Sequence, residues 1–390
     1  MPRVADFPIG ARITLAQLEG DLHPLLARLR ESEPVSWLPV LDGWLVTRYD
    51  LTLEVMRSPE VFTVDDARFS TGRVVGPSML SLDGEQHAGH RAPFAGPFRP
   101  VAVRERFAEA VAAEADRLID AFARAGAVEL RRSFAGPLAA ATMTRALGLG
   151  RDEVDAVLAW YDAIVAAVTE ITAGQPVPRT GSEAFDQLRE RLEAVIARGG
   201  DSSLLGSVAS GSPLSTEQIV SNAAVLLFGG IETTEGMITN AALALLAHPD
   251  QLQAAARDRD ALDRAIEESL RLEPAAAMVD RYATREVRLG PATIDQGELV
   301  HVSVAGANRD PSVFREPDTF DPGRAGVRRH LAFAQGPHVC VGVHLARLEA
   351  RAGLGALLRR LPGMRLDPQR PAAARGLVFR KPPELHVVWG

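Results

Sequence analysis

The stretch Phe333-Ala334-Gln335-Gly336-Pro337-His338-Val339-Cys340-Val341-Gly342 holds the only cysteine of the 390-residue chain, and the rest of the sequence is read outward from it. Downstream, Leu345, Leu348, Ala352, Leu357 and Leu361 recur near helical spacing and predict a helix beginning just after the turn. A sulfur ahead of a helix sits where unpaired backbone N–H groups and the helix dipole favour negative charge. That placement predicts a lowered thiol pKa and suits a thiolate ligand. Gly336 and Gly342 let the backbone turn sharply and pass close to something flat, where a Cβ would collide. Phe333 is placed to shield the sulfur, and His338 to give the same bound object a polar contact. Taken alone, the cysteine reads first as a small buried hydrophobe and the glycines as an ordinary turn.

Composition bounds the alternatives. A hydrophobic content of 46% and a charged content of 24% describe an ordinary globular protein with a large core. A net charge of -7 argues against general nucleic-acid binding. One cysteine rules out an internal disulfide and suits a reducing compartment. Met1-Pro2-Arg3-Val4-Ala5-Asp6 has no apolar h-region, so no signal peptide is expected, and no apolar run is long enough for a membrane span. The single lysine, Lys381, stands among 43 basic residues and reads as coding bias rather than chemistry.

Along the chain, a helix is expected around Leu15–Ser32, then a hairpin of Val35–Val40 and Trp44–Arg48 joined at Asp42-Gly43. A helix near Asp50–Arg57 is followed by a long loop to about Gly84, a kind of segment that is usually functional. His87 and Arg91, four apart, share one helix face. Helical pattern runs from Val103 to about Leu158, broken near Gly126 and Gly148, and the stretches 174–178 and 199–213 read as loops. Ser215-Thr216-Glu217-Gln218 is a capping box opening a helix to about Ala247, a rod of roughly 48 Å at ~1.5 Å per residue. Inside it lie Gly229-Gly230-Ile231-Glu232-Thr233-Thr234. Two glycines cost about 1 kcal/mol each in a helix interior. Either neighbouring helices approach closely there, or the helix opens to admit a ligand. Glu268 and Arg271 pair at i,i+3, short strands run through 287–304, and 362–389 reads as terminal hairpins.

The spacing F-x-x-G-x-H-x-C-x-G fixes five residue types at once and resembles the haem-binding loop of cytochromes P450, in which the cysteine thiolate is the axial iron ligand. Ala334 departs from the family's usual glycine, a small steric change that leaves the ligand assignment standing. The resemblance extends over nearly the whole chain. It assigns His87, Arg91 and Arg281 to the haem propionates, Gly229 and Gly230 with Glu232 and Thr233 to the oxygen-activating segment, and Phe333, Gly336, His338, Cys340 and Gly342 to the cofactor loop. Glu268 and Arg271 become a buried structural pair joined by Arg324. The fold implied is mainly α: a single cytochrome P450 domain over residues 1–390, one large helical part with a smaller β-rich part.

The resemblance further implies haem b and a monooxygenase that uses dioxygen and two external electrons to oxidise, most simply hydroxylate, a small organic molecule. The electrons come from a ferredoxin and its reductase, with Arg99, Arg104, Arg347 and Arg351 as docking candidates. The alternatives are a peroxide-driven peroxygenase and a non-enzymatic haem-thiolate binder. Substrate contacts fall on Val75, Met79, Ala276, Met278, Val279 and Val378, with Arg68, Arg73, Val74, Leu377 and Phe379 nearby. The loop members serve equally as a solvated surface, and 275–279 as a packed strand. A cytoplasmic monomer with no nucleic-acid or membrane partner is expected.

Overall fold

The computed structural model describes residues 6–172, 176–199 and 203–390, and 59% of it is helical. The reading of Met1–Asp6 falls largely outside the described residues, as do 174 and 175 of the loop at 174–178 and 200–202 of that at 199–213, whereas 176–178 carry no helix or strand.

The capping box forms as expected. The Ser215 hydroxyl accepts from the Gln218 N–H at 3.2 Å, and the Gln218 amide oxygen accepts from the Ser215 N–H at 2.9 Å. The helix it opens runs Thr216–Ala247, 32 residues, and stops at His248 ahead of Pro249. Helices Gly136–Leu147, Val154–Thr172, Arg179–Arg198, Arg259–Leu272 and Val343–Arg360 pack around it. Their apolar faces merge with its own into one large core cluster.

Ten short strands form the β-rich part: β1 Val35–Leu38, β2 Gly43–Val46, β3 Phe62–Thr63, β4 Ala127–Glu129, β5 Met278–Ala283, β6 Val287–Leu289, β7 Ala292–Ile294, β8 Leu299–Ser303, β9 Arg365–Leu366 and β10 His386–Val388. The main sheet runs β1-β2-β8-β5-β3, with β2 parallel to β8 and the remaining pairs antiparallel. β4, β10 and β9 form a second sheet and β6–β7 a hairpin.

Several local expectations are corrected. Leu15–Ser32 is two helices, Leu15–Glu19 and His23–Ser32, because the first is capped at Gly20 and the second restarts on Pro24. The segment 58–84 holds β3 and a helix at Ser70–Val75. Most of 203–213 is a helix, Leu204–Gly211, capped by the Ser203 hydroxyl, which accepts from the Gly206 N–H at 3.0 Å. The helical run from Val103 is interrupted by β4. No helix among the described residues is long and apolar enough to cross a membrane.

Behind the cysteine loop, Arg271 and Glu268 form a two-pronged pair at 2.7 and 2.8 Å with both side chains fully buried. Arg324 joins Glu268 at 3.0 Å, and the Arg271 guanidinium also donates to the carbonyls of Asn308, Pro317 and Thr319. At the end of the same helix, Glu273 binds His23 and Arg380, each at 2.8 Å, and so ties the N-terminal helices to the C-terminal segment. Burial alone would raise the Glu273 pKa, but His23 and Arg380 outweigh it and hold the carboxyl down to about 2.

Two predictions follow from these buried pairs. Arg271→Met leaves Glu268 with Arg324 as its remaining guanidinium and takes the donor from three carbonyls, and should lower unfolding free energy by about 3–5 kcal/mol in denaturant titration; a loss below about 1 kcal/mol contradicts the scaffold role. The Glu273 carboxylate contributes stability that is fully present above its unfolded value near 4.5 and is lost as pH falls toward 2. Glu273→Gln should therefore flatten the stability-versus-pH curve in that window, and an unchanged slope contradicts the assignment.

Candidate functional site

Cys340 lies between a one-turn helix at Gly336–His338 and the helix Val343–Arg360. Its N–H donates to the Phe333 carbonyl at 2.9 Å, which closes the loop on itself. Gly336 has φ +74, and a Cβ there would overlap the Met56 carbonyl oxygen at the end of helix Tyr49–Arg57. The turn therefore requires glycine on both conformational and steric grounds. Ala334 sits at φ +57, so its departure from glycine carries backbone strain of about 1–2 kcal/mol as well as a methyl.

Cys340 as a residue is half-buried. Burial pushes the thiol pKa up, which corrects the expected lowering. The Gly342 N–H and the charges of Arg91 and Arg347 act in the opposite direction and favour the thiolate. Behind the loop, the Arg347 guanidinium stacks 4.7 Å from the Phe333 ring centre and is pinned by Glu267 at 2.5 and 2.8 Å. Glu267 also meets His330 at 3.3 Å; burial works against its charge, yet these two partners hold its pKa down to about 2.

Helix Gly84–Ala95 reaches the same loop. Arg91 donates to the Val339 carbonyl at 2.5 Å. The His87 ring lies 4.4 Å from that of His338, and its buried Nε2 has no hydrogen-bond partner among the described residues. Burial, then the charges of His338 and Arg91, pull the His87 pKa down to about 4. His338 is held by Asp83, Nε2 to Oδ1 at 2.7 Å, and Asp83 also accepts from Thr63 at 2.6 Å and the Val64 N–H at 2.8 Å. Arg281 on β5 is buried, and its one hydrogen bond among the described residues is to the Asp280 carbonyl at 2.7 Å. An orphaned buried imidazole and an under-satisfied buried guanidinium beside a half-buried cysteine fit a group carrying both a thiolate-binding metal and acidic arms.

On the long helix, every residue from Ile219 to Ala242 is buried except Gly229, Gly230 and Thr233. Of the two expectations, close approach of a neighbouring helix holds at one glycine, and the expected opening of the helix does not occur. A Cβ at Gly230 would overlap Met143 on helix Gly136–Leu147, so that glycine permits close helix approach; a Cβ at Gly229 would meet open space. The helix stays regular through this point, and the Thr233 hydroxyl donates to the Gly229 carbonyl at 2.5 Å. Glu232 is buried and points elsewhere: Lys381 meets one of its oxygens at 2.7 Å, and the Tyr161 hydroxyl donates to the other.

The proposed substrate contacts separate into groups. Val75 and Met79 are buried in the large cluster, and the Met79 N–H donates to Asn222 of the long helix at 2.7 Å. Met278 is packed in a third cluster with Ile13, Leu18 and Leu22, whereas Ala276, Val279 and Val378 remain half-buried. Asp83, Tyr161, Glu235 and Lys381 were not singled out as site residues from sequence. Only Lys381 carried a signal there, its uniqueness.

The comparisons agree with this geometry. Residues 188–385 match the family model described as Cytochrome P450. The chain is 34% identical over 374 residues to Cytochrome P450 107B1 of Saccharopolyspora erythraea, covering 89% of each chain. It is 32% identical to 20-oxo-5-O-mycaminosyltylactone 23-monooxygenase of Streptomyces fradiae, covering 87% of this chain and 82% of that one. The crystal structure of CalO2 superposes with a TM-score of 0.88 at 28% identity, covering 98% and 99% of the two chains. With its cysteine loop, long helix and mainly helical fold, this chain belongs to the cytochrome P450 family of monooxygenases, whose members bind haem b through a thiolate.

Proposed function

We propose that this protein is a ferredoxin-supported monooxygenase that hydroxylates a small specialised metabolite. The observation that carries the reading is Thr233, whose half-buried side chain lies beside Gly229 on a helix buried from Ile219 to Ala242 apart from it and the two glycines. A Cβ at Gly229 would meet nothing within 4 Å, so that face of the helix is left open next to the hydroxyl. A haem-thiolate binder without catalysis has no need of an acid and a threonine, Glu232 and Thr233, at this point of the helix.

Haem b, when bound, supplies dioxygen activation with two electrons from outside. Cys340, as the only cysteine, is the residue able to supply the thiolate. The Gly342 N–H and Arg347 favour its charge, and the Phe333 carbonyl fixes its backbone. His87, Arg91 and Arg281 would hold the propionates, because each offers a donor to a carboxylate and, among the described residues, none is in an ion pair with an acidic side chain. Thr233 keeps its oxygen lone pairs available while its proton is engaged by the Gly229 carbonyl, so it can accept a hydrogen bond and pass a proton onward. Glu232 is the acid of that relay. Half-buried Ala276, Val279 and Val378 line the substrate side, and Val75 and Met79 close it from the loop.

An electron donor is favoured by a surface groove of ≈ 820 Å³ beside the cysteine helix, lined by Arg104, Arg257, Arg328 and His344. Arg347 and Arg351, also in its lining, are committed to Glu267 and Asp263, so Arg104 is the better candidate for meeting an acidic partner. The same reading has the protein act as a cytoplasmic monomer with one domain over its length.

Turnover of the haem-loaded protein with NAD(P)H, ferredoxin and reductase should give steady oxidised product, and peroxide alone should give little. The reverse would favour a peroxygenase. Thr233→Ala should continue to consume NAD(P)H while product per NAD(P)H falls by about tenfold or more, in the range of a lost proton-transfer group. Coupling at the unmutated level would remove Thr233 from the relay.

A further inference from the structure

In a chain whose other basic side chains at high pKa are all arginine, the single lysine is buried between two acids of the oxygen-activating helix. Lys381 meets Glu232 Oε1 at 2.7 Å and also contacts Glu235 and, at 3.5 Å, the Tyr161 hydroxyl. Tyr161, on helix Val154–Thr172, donates in turn to Glu232 Oε2. The ammonium thus donates to Glu235 and Tyr161 and forms an ion pair with Glu232. Glu235 is shared with Arg131 at 3.1 Å, and Arg131 also donates to the Pro383 carbonyl at 2.8 Å. Lys381, Glu232, Glu235 and Tyr161 are each less than a tenth exposed. Both oxygens of Glu232 are engaged on this side of the helix, and neither is bonded to Thr233.

We propose that Lys381 is a positioning residue for proton delivery: it fixes the resting position of Glu232 and sets how readily that acid turns toward Thr233. The proposal rests on the reading of Glu232 as the relay acid. It also links the relay to the substrate side. Lys381 ends the run Val378-Phe379-Arg380-Lys381, and that segment is fastened beside β5 by Ala277 N–H to Val378 O and Arg380 N–H to Ala275 O, both at 2.8 Å. A molecule pressing on Val378 acts three residues from the ammonium that restrains the acid.

The test compares haem-loaded Lys381→Met, Glu232→Gln and the double variant by product per NAD(P)H, by the solvent isotope effect on turnover and by thermal unfolding midpoint. Lys381→Met should lower product per NAD(P)H several-fold and alter the solvent isotope effect. Once Glu232 is glutamine, removing Lys381 should add no further loss of coupling, and the double variant should melt no lower than Lys381→Met alone. Losses that multiply in coupling and add in melting would overturn the proposal, because Lys381 would then act independently of Glu232. If Glu232→Gln couples like the unmutated protein, the relay reading of Glu232 falls, and the melting comparison alone decides whether Lys381 holds it. If Lys381→Met does not fold, a folded double variant supports the proposal; failure of the double variant while Glu232→Gln folds overturns it.

Discussion

The molecule is arranged around one sulfur that is taken out of water without being sealed off from a partner. Burial raises the thiol pKa, whereas the Gly342 N–H and two guanidinium groups pull the other way. The balance is set by backbone geometry: the Phe333 carbonyl holds the Cys340 N–H, and Gly336 lets the loop pass over the end of helix Tyr49–Arg57. Such a sulfur is inert as a thiol and well placed as a metal-bound thiolate, because a cation supplies the charge compensation that the protein provides only in part.

Holding that loop is a matter of buried charge. Glu267 fixes Arg347 under Phe333, Glu268 gathers Arg271 and Arg324, and Glu273 joins His23 to Arg380. All three acids lie on, or just beyond, helix Arg259–Leu272, which packs between the long helix and the cysteine helix. Each is costly to leave unpaired and modest in net benefit when paired. Their common effect is to specify how that helix is seated. The Lys381 cluster, with Glu232 and Glu235 of the long helix, follows the same electrostatic rule, and in the proposal above that pairing bears on proton delivery.

Much of this was legible in the sequence because it is local. A capping box followed by an apolar run gives the long helix its start, and His248-Pro249 its stop. The cysteine loop is a short motif whose residue types are demanded by turn and ligand chemistry. The i,i+3 spacing of Glu268 and Arg271 announces a pair, though burial alone makes it structural. What escaped depends on conformation or on distant partners. Ala334 carries no mark of its positive φ. The break at Gly20 and Pro24 was overridden by the apolar pattern on either side. β4 exists only because β10, at the other end of the chain, pairs with it. The meaning of Lys381 is likewise absent from its neighbours, since the acids that bind it come from the long helix.

The account stands on sulfur donation from position 340 to haem iron, and the reduced, carbon-monoxide-bound spectrum reports that bond directly. The haem-loaded protein should show the red-shifted Soret band of a thiolate-ligated haem, and Cys340→Ser should abolish it while leaving the helical circular dichroism in place. A spectrum typical of imidazole ligation in the unmutated protein, or a thiolate spectrum that survives the serine substitution, would contradict the assignment.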